Sequence, residues 1–173
     1  MIRTIARLTA IVALALAASG AHAGENVFLK GFTGQWRGTG AVRTAGNAPQ
    51  EKLVCRIRGE LQGGGDKLEL DGRCGGERFN GSFKIFLTYV SAKGYYSAVW
   101  QDSLGGKSPP LTGLLSGNRL VFKVRHNDFE TDGRAVSTLV VDPASARFRI
   151  VGRTMPDAGA NDFLSADLVF VRG

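Results

Sequence analysis

From Lys52 to Arg172, apolar side chains return at every second residue in one short stretch after another, and no long 3.6-residue period appears. A two-residue period sends successive side chains to opposite faces, so such stretches bury one face only as strands. Leu53, Cys55 and Ile57 share one face of a strand over Lys52–Leu61, while Lys52, Arg56, Arg58 and Glu60 lie mostly on the other. After the turn Gly63-Gly64-Gly65-Asp66 the pattern repeats, with Leu68, Leu70, Gly72 and Cys74 set against Lys67, Glu69, Asp71 and Arg73. Phe79, Gly81, Phe83, Ile85, Leu87 and Tyr89 line a fourth strand, and Tyr96, Ala98 and Trp100 are the inward set of a fifth. A short sixth strand, Leu111–Leu115, follows Pro109-Pro110, and Leu120, Phe122, Val124 and His126 mark a seventh. Val136–Val141, Arg147–Arg153 and Leu164–Arg172 complete the series, with Phe148, Ile150, Leu164, Leu168 and Phe170 inward. Gln35–Arg43 is the first strand, and Asn26–Phe32 is expected to form one helical turn that plugs an end of the sheet.

Glycine recurs between these stretches, the punctuation of strands joined by tight turns. Consecutive strands with short connections and one apolar face make an antiparallel meander, and closure removes its exposed edges. The expected fold class is therefore all-β, an up-and-down meander of about ten strands closing into a barrel or strongly curved half-barrel in preference to a sandwich. At that strand number a barrel is wide enough to keep a cavity.

The first 23 residues stand outside this pattern. Arg3 and Arg7 precede the apolar run Leu8–Ala18, and Ala21-His22-Ala23 sets small residues two apart, the form of a signal peptide cleaved after Ala23. The run is shorter than the roughly 20 apolar residues a membrane-spanning helix needs, so no transmembrane segment is expected. The mature chain, residues 24–173, has the size of one domain and is expected in the periplasm or the medium. Losing Arg3 and Arg7 takes the 22 basic residues to 20 against 15 acidic ones, and the net charge from +7 to +5. Cys55 and Cys74, an even pair on the apolar face of adjacent strands in an exported chain, are expected to form a disulfide. A redox or metal-binding pair is disfavoured because the spacing is not CxxC and no histidine is near.

Gly34-Gln35-Trp36-Arg37-Gly38-Thr39-Gly40 resembles the Gly-x-Trp strand of lipocalin-like (calycin) barrels, and its Gly-x-Gly is similar to the start of nitrobindin-type domains. The resemblance implies a Trp36 that packs across one end of a barrel under a covering cation, which cannot be Arg37 because that neighbour faces the other way. With Cys55-Arg56, Gly72-Arg73-Cys74 and the late meander, the chain resembles small exported proteobacterial proteins of unassigned activity. Exported metalloprotease inhibitors of lipocalin-like shape share the Gly-x-Trp strand and a nearby disulfide, and their pattern is lost here after Cys74. The nitrobindin-type haem histidine lies late in the barrel, and no histidine follows His126.

No catalytic constellation is visible, and an enzyme is not expected. His126 is the single histidine of the mature chain, and no spacing brings Ser137 or Asp128 to it. Asp128-Phe129-Glu130-Thr131-Asp132-Gly133 lacks the length and ligand spacing of an EF-hand loop and reads as a turn, so no metal and no cofactor are expected. Two surfaces remain. The interior set is aromatic: Trp36, Phe79, Phe83, Tyr89, Tyr96, Trp100, Phe122, Phe148 and Phe170, of which Trp36, Tyr96 and Trp100 are the candidates for lining a ligand site. The outward faces of the second, seventh and ninth strands carry Arg56, Arg58, Arg119, Lys123, Arg125, Arg147, Arg149 and Arg153, with Arg56, Arg58 and Arg149 the candidate basic face. Few exposed aromatics interleave with it, so nucleic acid is not an expected partner. The leading expectation is a binding module that holds a small apolar or amphipathic ligand in the barrel. The alternative is an envelope interaction or inhibitor module acting through loops or a basic face toward an anionic envelope component.

Overall fold

The computed structural model describes residues 27–103, 105–127, 134–144, 146–156 and 161–173. The expected signal peptide, the turn expected over Asp128–Gly133 and residues 157–160 lie outside the described residues. The two-residue period forms ten strands: β1 (Gly34–Val42), β2 (Glu51–Gln62), β3 (Lys67–Gly75), β4 (Asn80–Val90), β5 (Tyr95–Asp102), β6 (Leu111–Ser116), β7 (Arg119–Asn127), β8 (Arg134–Ala144), β9 (Arg147–Pro156) and β10 (Phe163–Arg172). Each pairs antiparallel with its chain neighbour, and β1 pairs with β10 through Trp36↔Arg172 to Val42↔Ala166, which closes the barrel. Among the described residues every strand has a neighbour on both sides, which is how closure removes exposed edges.

The faces follow the alternation. Leu53, Cys55 and Ile57 are buried on β2 between exposed Lys52, Val54, Arg56 and Arg58. At the β2–β3 turn Gly63, Gly64 and Gly65 all take positive φ (59°, 79° and 103°), which only glycine adopts freely. That turn sets the register in which Cys55 faces Cys74, and the two form the disulfide. Glycines facing the interior make room for rings on the next strand: Gly38 opposes Phe170, Gly72 opposes Phe83 and Gly113 opposes Phe122, each ring lying where a Cβ would stand.

One end of the barrel is closed as expected. Residues 27–30 form a helical turn, and Phe28, Leu29 and Phe32 are buried, with Phe28 against Tyr96 of β5 at 5.3 Å between ring centroids. Phe32 meets Phe148 at 5.3 Å between ring centroids, and Phe148 meets Trp36 at 4.9 Å and Phe170 at 4.5 Å. The Trp36 indole N–H donates to the Phe32 carbonyl at 2.9 Å, so the turn and the first strand are tied by a buried hydrogen bond. The covering cation is Arg172 of the last strand, its guanidinium 4.8 Å from the Trp36 ring centroid while Nη1 donates to the Thr33 carbonyl at 3.2 Å.

Two inward assignments are corrected. Phe79 is 43% exposed, because β3–β4 pairing ends at Gly75↔Asn80 and leaves it in the turn. There the Glu51 carboxylate accepts the N–H groups of Arg78 and Phe79 at 2.6 and 2.7 Å and fixes the bend. Leu164 pairs with Arg153 on the outward side, because the register shifts between Leu164 and Ala166. A one-residue bulge reverses the parity of every residue beyond it, and Phe163 instead pairs with buried Thr154.

Candidate functional site

The interior is divided. On the side formed by β1, β2 and β10, Trp36, Ile57, Leu53 and Phe170 fill the space. On the side formed by β3 to β9 an apolar cavity of about 100 Å³ remains, floored by Phe32 and Phe148 and walled by side chains including Leu70, Leu87, Phe122 and Leu139. Every residue that lines it is apolar, so it offers dispersion and desolvation and no hydrogen bond. Such a lining suits a hydrocarbon or a ring.

Trp100 belongs to this cavity and reaches its edge. It stacks on Phe83 at 4.7 Å, with 15° between the planes, and is 39% exposed. The sheet is thin at this point, since β5 and β6 pair only over Tyr96↔Gly113 to Ala98↔Leu111. Beyond Ala98 the returning chain replaces a strand: the Trp100 N–H donates to Ser108 Oγ at 3.0 Å, and the Ser108 N–H donates to the Trp100 carbonyl at 2.9 Å. The margin continues through the Gln101↔Lys107 bridge and the Asp102 N–H to the Gly106 carbonyl at 2.9 Å, so the short three-pair β5–β6 ladder is the part that opens at lower cost than a longer one.

Above the cavity, two residues along β8 from Leu139, the hydroxyls of Ser137 and Thr154 share a hydrogen bond of 2.7 Å across β8 and β9. Thr154, 6% exposed, is the buried polar side chain among the described residues. The pair sets a polar mark inside the barrel, toward the end opposite the plug.

Of the three candidate lining residues, the structure brings only Trp100 to the cavity. Trp36 is in the closed end, and Tyr96 is packed between Phe28 and Tyr89 at 5.3 and 5.0 Å. Phe32 and Leu139, absent from the sequence-derived set, line it instead. His126 stands opposite Ala135 on β7, and its side chain lies outside the described residues. Among the described residues no group of His, Cys, Asp or Glu could hold a metal ion, and no helix is long and apolar enough to cross a membrane.

The outward cations separate as well. Arg56 and Arg58 are together on β2, whereas Arg149 is on β9, with the two strands β1 and β10 in between. Arg149 is engaged by Asp167 through two hydrogen bonds, 2.7 Å from Nε and 2.6 Å from Nη2. Its guanidinium holds the Asp167 carboxyl below the usual range, and Lys84 does the same for Glu69. A carboxyl lowered by folding adds stability above its unfolded value and loses it as pH falls through the folded one. Stability is therefore expected to decline below about pH 4, modestly because both pairs meet water. In Asp167→Asn that acid limb should be shallower in a pH series of thermal melts.

These features define a class: a closed antiparallel barrel of lipocalin-like form with one plugged end and an apolar interior space. Among solved structures, the S-type phycobiliprotein lyase from Guillardia theta shares the fold with a TM-score of 0.57, over 85% of this chain and 91% of the lyase, at 10% sequence identity. No protein-family model and no curated protein matches the chain by sequence. At that identity the likeness is one of fold.

Proposed function

We propose that this protein is an exported binding protein, without catalysis, that holds the apolar part of a small amphipathic molecule inside the barrel. The observation that carries the reading is the wholly apolar cavity with Trp100 at its edge. The ligand would enter past Trp100 at the short β5–β6 seam, with its polar end toward the Ser137–Thr154 hydroxyls. A space of about 100 Å³ accepts a short chain or a small ring as it stands, and a longer chain requires Trp100 to swing off Phe83. The resemblance to small exported proteobacterial proteins supports the expected leader over residues 1–23 and a periplasmic or secreted site of action. The lyase supports the reading only in that a barrel of this form serves a protein whose name links it to phycobiliproteins.

The chain has two tryptophans, which makes the reading testable by fluorescence. A brominated fatty acid quenches an indole that it touches. Emission from Trp100, isolated in Trp36→Phe, is expected to fall on titration, while emission from Trp36, isolated in Trp100→Phe, is expected to hold. Equal quenching of both, or none, would mean that the acyl chain does not enter the barrel. Native mass spectrometry of the purified chain beside its denatured mass adds a second readout, since a retained ligand appears as mass lost on denaturation.

A further inference from the structure

Several outward cations of this barrel face an acid: Arg149 meets Asp167, Arg119 meets Asp142 at 3.3 Å, Arg153 meets Asp162 at 3.4 Å, and Lys84 meets Glu69 at 2.6 Å. A row of three arginines instead faces its own charge. The register places Arg37 of β1 opposite Arg56 of β2, and Arg56 opposite Arg73 of β3. Three cations thus stand side by side at the inter-strand spacing of about 4.8 Å. Like charges directly opposite one another destabilise a sheet, and among the described residues Arg37 and Arg56 have no ion pair. Arg73 is steadied by Asn80, whose Oδ1 accepts from its Nη2 at 3.2 Å.

The row is also concave. Arg37, Arg56, Arg58 and Arg73 surround a surface groove of about 380 Å³, with Gly72 at its base and Ser82 and Gln35 at its margins. Asp71 borders it and is engaged by Lys84 at 3.2 Å, while Glu60 pairs with Arg58. Among the side chains that line the groove, four arginines stand against one carboxylate, Asp71.

We infer that this groove binds a phosphate-bearing polyanion, with the forks of Arg37, Arg56 and Arg73 around its oxygens. Guanidinium forks match phosphate oxygens in pairs, and neutralising the row relieves the repulsion within it. The site is on the outside of the barrel and independent of the apolar cavity, so either can fail without the other.

The test uses the full mature chain, with tripolyphosphate followed by calorimetry and phosphatidylcholine vesicles doped with phosphatidylglycerol followed by co-sedimentation. Tripolyphosphate is expected to bind the wild type and raise its melting temperature. The variant Arg37→Gln/Arg56→Gln/Arg73→Gln should bind at least about tenfold more weakly. Without anion it should melt no lower than the wild type, because the repulsion is gone. The control Arg119→Gln/Arg149→Gln lowers net charge at paired sites and should bind within about twofold of the wild type. Vesicle retention that tripolyphosphate displaces assigns the groove to a lipid phosphate, and binding of tripolyphosphate without vesicle retention assigns it to a soluble phosphate anion. The inference is overturned by no binding of either probe, by retention that tripolyphosphate does not displace, or by a control that loses as much as the triple variant.

Discussion

Replacing Cys55 and Cys74 together by alanine is expected to lower the melting temperature by about 6–12 °C. The bridge joins directly opposed residues of β2 and β3 that are 1% and 5% exposed, across a sequence separation of 19. Closing a loop of that length restricts the unfolded chain and is worth about 3 kcal/mol. For a domain of this size each kcal/mol moves the midpoint by about 2–4 °C. Alanine is preferred to serine because both positions are buried in an apolar cluster, where an unpartnered hydroxyl would add its own penalty. A reductant should reproduce the loss in the wild type and change nothing in the double variant. If all the melts coincide, the Gly63–Gly65 turn already closes the hairpin in the unfolded chain and the bridge adds nothing.

The same hairpin shows what local sequence can reveal. Along β2 and β3 buried residues recur at every second position, with Val54 the one apolar side chain on the outward face of β2, so strand, face and cysteine pairing can all be read from the spacing. Local alternation no longer assigns a face where parity or register is decided elsewhere in the chain. Leu164 lies in a stretch that reads as alternating, and one bulge near Ser165 turns it outward. Trp36, Tyr96 and Trp100 all obey the inward parity, yet parity separates inside from outside and not core from cavity. That division depends on the plug, where Phe28 and Phe32 take up the space around Tyr96 and Trp36 and leave Trp100 uncovered. The cation over Trp36 comes from Arg172 at the far end of the chain, visible only once β1 meets β10. The arginine row is hidden for the same reason. Arg37, Arg56 and Arg73 share no spacing, and turn lengths across two hairpins bring them level, whereas Arg149, which looked equally free, is matched by Asp167.

Phe148→Ala is expected to cost about 3–5 kcal/mol, the range for deleting a buried ring, and so to lower the melting temperature by roughly 6–20 °C. Phe148 is 2% exposed and stands where plug and cavity meet, in contact with Phe32, Trp36 and Phe170. Its removal takes away three ring contacts and also enlarges the apolar space that it floors. The second effect separates a binding barrel from an ordinary core. A small apolar ligand such as benzene stabilises a folded protein according to its concentration relative to its dissociation constant. It should therefore recover more of the melting temperature in Phe148→Ala than in Phe170→Ala. Phe170 is as deeply buried and stacks on the same ring, but it does not line the cavity. Equal recovery in the two variants would mean that any hole in this interior takes up the ligand, and the cavity would lose its standing as a site. Greater recovery in Phe148→Ala would show that the space between plug and seam is continuous and reachable from outside, as a binding barrel requires.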